Sequence, residues 1–388
     1  MLDVGKPLKE GSQPVNVAAF DPDAILLSHT HQDHYGLIEG LDRTIPVYLS
    51  KLEKNLIDAA CMFSKQELLG NQFRFFEPWR SFEIGPFRIT PYLVDHSAPD
   101  AFGFLVEAGG GRLFYTGDFR AHGRKRKLYE RLIREPFADL DVLVMEGTML
   151  KRSDGGFPNE LSVEEEIVRV IRDARNASFL VCSSQNVDRL VSAFNACRRT
   201  EKKLVIDIYT AWVLQQMELV SDSVPNMFWD EVKVIATDKQ ELVVDENPDF
   251  FGAFGDDVGK PEHGITHEVL DSSPADYLQA IRLPGARLVD WYLSKEPVNV
   301  IFSQWLGDLA DDSKRIGARD MRRLRDDSRV NFVYAHTSGH AFLPDLKKLA
   351  ASLKPKVLIP VHTDFPHEFE THFDNVRVLE DEQKLEIQ

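Results

Sequence analysis

Apolar residues gather in short runs, each closed by polar, turn-forming or ionisable residues. Ala24-Ile25-Leu26-Leu27, Asp141 to Met145, Phe179 to Cys182, Lys203 to Ile208, Val232 to Ala236, Val298 to Phe302, Asn331 to Ala335 and Lys356 to Val361 read as strands. Phe87 to Val94 alternates toward a strand, and Gly103 to Glu107 with Arg112 to Tyr115 frames Gly109-Gly110-Gly111 as a hairpin. Helical spacing lies between them. Leu52, Leu56, Ile57 and Ala60 share one side of a helix over Leu49 to Ala60. Ser162 and Glu165 predict a capping box for a helix running to about Asn176, followed by helices over Val187 to Arg199 and Thr210 to Leu219. Near the end, Pro344 marks the first turn of a helix whose Leu346, Leu349 and Leu353 face inward. From residue 179 the β-then-α rhythm predicts an open α/β sheet with a parallel core. Between Asp238 and Asp276 no period holds, and that stretch is expected to be irregular.

Composition narrows the class. At 388 residues the chain has room for two domains, and 43% hydrophobic with 28% charged content is that of a globular protein. There is no apolar run long enough to span a bilayer, and Met1 to Lys6 has no signal-peptide shape. Cys61, Cys182 and Cys197 form no C-x-x-C pair and read as reduced thiols. A cytoplasmic protein with no membrane partner is expected. The net charge of −16 argues against loose electrostatic attraction to nucleic acid. Two basic islands interrupt it: Arg120 to Arg134, and Lys314 to Arg329. Solvated helix faces and a phosphate-facing role weigh about equally for both.

Candidate chemistry concentrates at strand ends. Directly after Ala24-Ile25-Leu26-Leu27 comes Ser28-His29-Thr30-His31-Gln32-Asp33-His34-Tyr35-Gly36, with four metal-ligand side chains within six residues. Imidazole nitrogens and a carboxylate suit a first-row metal. In an extended chain His29 and His31 point the same way and can grip one ion. Asp33 and His34 are adjacent, and a turn there would aim them at a second ion. His96 follows the Phe87 to Val94 strand and is placed to complete a metal site. Asp118, in Thr116-Gly117-Asp118, can aim both carboxylate oxygens at two ions. Glu146 and His362 also sit where strands stop, and His340 follows another in Thr337-Ser338-Gly339-His340.

The H-x-H-x-D-H string resembles the signature of the metallo-β-lactamase fold. Glu146 in Met-Glu-Gly-Thr, His340 in Thr-Ser-Gly-His-Ala and His362 in Ile-Pro-Val-His-Thr are similar to the three further motifs of its β-CASP branch, which includes ribonuclease J and the endonuclease subunit of messenger-RNA 3′-end processing. The resemblance implies an αββα sandwich with an inserted β-CASP-type α/β domain: residues 1–150 and 336–388 as two parts of the sandwich, and 151–335 as the insert. It departs from the family in showing no hairpin before Asp3-Val4-Gly5, where either the hairpin is missing or the true start lies upstream, in a short insert, and in carrying no extension of the ribonuclease J kind after His362.

The site implied by the resemblance has His29, His31 and His96 on one ion, Asp33, His34 and His362 on the other, and Asp118 between them, with Asp3 supporting a ligand from behind. His340, Glu146 and Asp33 are the implied catalytic residues: His340 over the scissile phosphate, Glu146 holding its ring. Ser338, Ser184 and Asn186 would bind flanking phosphates, the latter two in the polar loop Ser183 to Arg189, and Arg120 or Arg124 would add charge. Two divalent ions, zinc first and manganese second, would activate water. The implied function is a metal-dependent phosphodiesterase acting on single-stranded nucleic acid, RNA favoured over DNA, as an exo- or endonuclease in RNA processing or decay. The alternatives are a dinuclear hydrolase of small esters, thioesters or lactones, and a scaffold that has lost its ligands. All seven ligand candidates are present, which weighs against the scaffold. His122, His263, His267, His336, His367 and His372 read as surface or structural. The pattern carries no argument for or against a homo-oligomer.

Overall fold

Contacts divide the chain into two units: Met1–Asp58, Glu67–Asp154 and Ser338–Gln388 form the first, and Ala59–Gln66 with Gly155–Thr337 the second. The structure, a computed structural model, describes residues 1–7, 13–152, 155–380 and 383–386.

The first unit opens with a parallel three-stranded sheet, β1 (Ile25–Leu26), β2 (Pro46–Leu49) and β3 (Gln72–Phe75). The single turn α1 (Gln32–Tyr35) follows β1, and α2 (Lys51–Ser64), the crossover a parallel pair requires, joins β2 to β3 with Leu52, Leu56 and Ile57 buried. Then β4 (Phe82–Ile84), β5 (Phe87–Leu93), β6 (Phe102–Ala108) and β7 (Gly111–Tyr115) run as an antiparallel meander. After α3 (Arg126–Arg134), β8 (Val142–Glu146) lies parallel to β7.

The second unit begins with α4 (Glu160–Ile171). Its cap is Asn159, reciprocated by Ser162, so the helix starts three residues before the expected box, and Glu165 lies exposed on its flank. Then follow β9 (Ser178–Val181), α5 (Val187–Arg199), β10 (Lys203–Asp207), α6 (Ile208–Gln216) and β11 (Val232–Ile235). The stretch expected to be irregular holds four short helices: α7 (Asp238–Asp245), α8 (Pro248–Phe251), α9 (Ala253–Val258) and α10 (His267–Ser272). Each is too short for its period to show. Beyond them β12 (Tyr277–Ile281) and α11 (Ala286–Leu293) were not legible either; β12 carries Gln279 where an apolar residue would mark a strand. The unit closes with β13 (Val298–Phe302), α12 (Ala318–Asp326) and β14 (Val330–Tyr334). Its six strands are all parallel, in the order β11-β10-β12-β9-β13-β14. Phe179, Val181, Val300 and Phe302 from its central strands pack with Tyr292, Met321 and Leu324 from its helices.

The chain returns to the first unit through α13 (Leu343–Leu353), with Pro344 in its first turn and Leu346, Leu349 and Leu353 buried, and β15 (Val357–Val361), which pairs with β8. The second sheet is thereby β15-β8-β7-β6-β5-β4. Leu26, Phe76, Ile89, Phe102 and Phe104 fill the space between the two sheets. Leu105, Phe114, Leu143 and Met145 face the other way, against Tyr129 and Leu132 of α3 and the α13 leucines. This is the αββα sandwich, and period-two alternation along β6 feeds both layers.

Several residues of the two basic islands are paired with acids. On α3, Arg126 meets Glu130 and Arg131 meets Glu135; around α12, Arg323 meets Asp290 and Arg329 meets Asp327. Arg120 is fully buried on Asp95 rather than displayed as surface charge. Among the described residues no helix is long and apolar enough to cross a membrane.

Candidate metal centre

Five of the seven ligand candidates come from loops that follow strands of the sandwich, and Asp33 and His34 come from the short helix α1 that follows β1. His29 and His31 leave β1 two residues apart, and His31 is the N-cap of α1, whose first turn carries Asp33 and His34. His96 follows β5, Asp118 follows β7 and His362 follows β15. Gly117 makes the turn before Asp118 at φ +53, and a Cβ there would lie 2.5 Å from the Phe102 carbonyl oxygen. His362 itself sits at φ 51, an uncommon conformation for a residue with a side chain.

The side chains fall into two donor sets, His29, His31 and His96 in one, and Asp33, His34, Asp118 and His362 in the other. In the first set His31 Nδ1 lies 3.1 Å from His29 Nε2 and 3.3 Å from His96 Nε2. In the second, His34 Nε2 is 3.1 Å from Asp118 Oδ2, and His362 Nε2 is 3.2 Å from Asp33 Oδ2. Asp118 Oδ2 is also 3.8 Å from His29 Nε2, which puts its carboxylate between the sets.

The far nitrogen of four rings is held. His96 Nδ1 donates to the Gly339 carbonyl at 2.6 Å, His34 Nδ1 to Asp3 Oδ2 at 2.8 Å, and His29 Nδ1 meets Ser28 Oγ at 3.1 Å. His362 Nδ1 meets Thr148 Oγ1 at 2.6 Å. Holding one ring nitrogen this way fixes the tautomer and turns the other lone pair inward. Asp3 accepts in addition from Ser28 Oγ at 2.7 Å and Tyr115 Oη at 2.6 Å.

Electrostatics separate the two sets. Burial, reinforced by neighbouring imidazoles, holds His29 and His96 well below the usual histidine range, and burial lowers His31 to about 4. These rings are neutral, the form that ligates a metal. In the other set the carboxylates prevail over desolvation. His34 is raised well above its ordinary value by Asp118 and Asp3, and His362 to about 9 by Asp118 and Asp33, both against burial. Against the same desolvation, His362 and His34 bring Asp33 down to about 2, and His34, His362 and His340 hold Asp118 far below the carboxylate range.

Bare nitrogens facing one another, and two ionised carboxylates among imidazoles, are what a cation would reconcile. Asp118 Oδ1, fully buried, has no hydrogen-bond partner. A buried carboxylate oxygen left so is costly unless something positive completes it. The residues fit two divalent ions, and the nitrogen-rich set suits zinc.

His340 lies beside both sets and is one-fifth exposed. Its Nδ1 is 3.3 Å from Glu146 Oε1 and 3.7 Å from Asp118 Oδ2. Glu146 is buried and accepts the amides of Phe119 and Ala341 at 3.3 Å and of Thr148 at 3.0 Å. With Asp33 and His362, His340 forms the solvent-facing side of the cluster.

The expected phosphate binders have other partners. Ser338 Oγ accepts the His340 amide at 3.1 Å. In the second unit, Asn186 caps α5 by accepting the Arg189 amide at 3.1 Å, and buried Ser184 bonds Thr210 Oγ1 at 2.8 Å. Sequence reasoning missed Thr148, Tyr115, Ser28 and Asp95, hydrogen-bonding residues with no motif of their own. It set His122, four residues past Asp118, among the surface or structural histidines; its Nε2 reaches the Ser338 carbonyl at 2.9 Å.

Comparison with known proteins agrees with this architecture. Residues 2–182 match the β-lactamase superfamily domain, and residues 329–371 match the Zn-dependent metallo-hydrolase RNA specificity domain. Together the two matches make the chain similar to metallo-β-lactamase hydrolases of the β-CASP branch. Within that branch it is similar to ribonuclease J: 23% identical over 379 residues to that of Sinorhizobium meliloti, covering 89% of this chain and 58% of the relative. Ribonuclease J of Mycobacterium tuberculosis is 25% identical over 363 residues, covering 88% and 58%. The chain thus spans less than two thirds of the curated relatives it matches. A crystal structure of a protein of unknown function from Enterococcus faecalis V583 shares the fold, with a TM-score of 0.69 at 21% identity over 93% of this chain and 80% of that one.

Proposed function

We propose that this protein is a metal-dependent phosphodiesterase that cleaves single-stranded RNA, acting in the cytoplasm. The observation that carries the reading is His340: a partly exposed imidazole, backed by buried Glu146, beside two complete donor sets that do not need it as a ligand. The relatives named ribonuclease J and the match to an RNA specificity domain support RNA as the substrate. Cys182 and Cys197, buried free thiols, support a reducing compartment.

His29, His31 and His96 would hold one ion, and Asp33, His34 and His362 the other, with Asp118 shared. Two such ions, when bound, activate water and neutralise charge on the phosphoryl group. The chain's own residues do the rest. His340 Nδ1 is buried 3.3 Å from Glu146 Oε1 without a hydrogen bond to it, so Nε2 is the nitrogen that would donate to a phosphoryl oxygen or protonate the departing oxygen. Glu146 would meet a protonated His340 ring with its charge at 3.3 Å, and it accepts the amides of Phe119 and Ala341 in the loops on either side. Asp33, on the open side beside His362, would lie next to the attacking water as well as ligate.

Incubating the zinc-loaded protein with 5′-labelled single-stranded RNA and with a panel of lactones and thioesters tests the reading. Cleavage of RNA with an inert panel is the expected result; turnover of the panel with inert RNA would overturn it. Linear and circular RNA compared in the same assay separate attack from an end from internal attack.

A further inference from the structure

The strand of backbone that carries His340 is gripped by side chains that the mechanism above leaves unused. The Ser338 carbonyl accepts from Arg120 Nη1 at 3.0 Å and from His122 Nε2 at 2.9 Å. A carbonyl oxygen has two lone pairs, so this one is fully engaged. The next carbonyl, of Gly339, is taken by His96 Nδ1. Gly339 permits that approach, since a Cβ there would lie 2.7 Å from Ser97 Oγ.

The grip has its own foundation. Arg120 is fully buried, with Nε 3.3 Å from Asp95 Oδ1. The other oxygen of Asp95 accepts the Gly123 amide at 2.9 Å, and its carbonyl accepts the Arg120 amide at 2.6 Å. His122 lies flat on Phe342, ring centroids 4.4 Å apart and planes 15° from parallel. Arg-Ala-His-Gly at 120–123 is therefore held by Asp95 at both ends and reaches Ser338 through the two side chains that alternate along it. Turning the Ser338–Gly339 peptide would break two hydrogen bonds at once, one of them from a buried cation, and His340 is attached at the next residue.

We infer that Arg120 and His122 are positioning residues that set the direction of the His340 ring through the Ser338 carbonyl. The inference rests on the role proposed for His340. Two substitutions separate it from simple packing. His122→Phe keeps the stacking on Phe342 but has no N–H, whereas the amide nitrogen of His122→Gln can reach the same carbonyl. In His122→Phe, kcat on single-stranded RNA is expected to fall about 10- to 100-fold with KM within about two-fold, the size that misplacing a reacting group produces. His122→Gln is expected to recover to within about three-fold of wild type, and zinc content to stay the same in all three proteins. In a His340→Ala background, His122→Phe should cost nothing further.

A second measurement does not depend on turnover. The rate at which diethyl pyrocarbonate modifies His340, followed by mass spectrometry on the zinc-loaded protein, should rise several-fold in His122→Phe and not in His122→Gln. Equal labelling rates, an unchanged kcat, or the same further loss without His340 would overturn the inference. A wild-type protein that cleaves no RNA would instead sink the nuclease reading, and the labelling rates would still decide this one. Should His122→Phe fail to fold, His122→Asn, whose amide is too short to span the gap, replaces it.

Discussion

Both units end buried parallel strands in polar residues, and the two treat those residues in opposite ways. In the second unit the buried charged groups at the strand ends close on one another, although neutral atoms such as the Gln279 amide and Thr337 Oγ1 stay without partners. Fully buried Arg189 pairs with Glu160 at 3.1 Å and donates to the carbonyls of Ser303 at 2.8 Å and Thr337 at 3.4 Å. Asp207 caps α6 through Thr210 and also accepts from Gln240 and Arg282. In the sandwich the groups at the strand ends do not close. Rings meet nitrogen to nitrogen, and a buried oxygen of Asp118 is left over. A polar network that satisfies itself needs no ligand; one that leaves like groups face to face is completed from outside.

That contrast can be broken at several points. The largest effect is expected from Asp118→Ala, which removes the carboxylate lying between the donor sets: zinc content by elemental analysis should fall toward zero, and RNA cleavage with it. An Asp118→Ala protein that keeps both ions would show the sets to be independent. His340→Ala should leave both ions bound while kcat falls on the order of 10²–10⁴-fold, the contribution of a proton-transfer group. Loss of metal in that variant would move His340 into the ligand shell, where its distances to Glu146 and His362 would also allow it to stand.

On the self-satisfied side, Arg189→Met should cost about 3–5 kcal/mol of stability in urea, because Glu160 is left buried without its cation, while zinc content is untouched. Zinc loss there would contradict the separation drawn between the two networks. The smallest effect belongs to Asn186→Ala, which should cost about 1 kcal/mol as a lost helix cap, with KM for RNA unchanged. A raised KM at unchanged stability would assign Asn186 to the substrate rather than to α5.

The elements legible beforehand were those whose pattern is local. Buried runs such as Val298 to Phe302 and the full helix Val187 to Arg199 were read at their observed bounds. Four short helices between residues 238 and 272, and the central strand holding Gln279, were not, because four to eight residues give too few repeats to reveal a period. The same limit moved the start of α4, where Asn159 outcompeted Ser162 for the cap.

For the metal centre, the sequence by itself determined the kinds of donor and their launching points, since His29, His31, Asp33 and His34 share one loop and His96, Asp118 and His362 each end a run of buried strand. Only the tertiary structure decided what stands behind them. Asp3 was expected behind a ligand from the resemblance, but that the ligand is His34, that Thr148 serves His362, and that Arg120 and His122 share one carbonyl 216 to 218 residues away are pairings between distant parts of the chain. A ligand announces itself by its chemistry and its place at a strand end. Its support is any nearby donor or acceptor that the packing delivers, and no spacing along the chain encodes which one arrives.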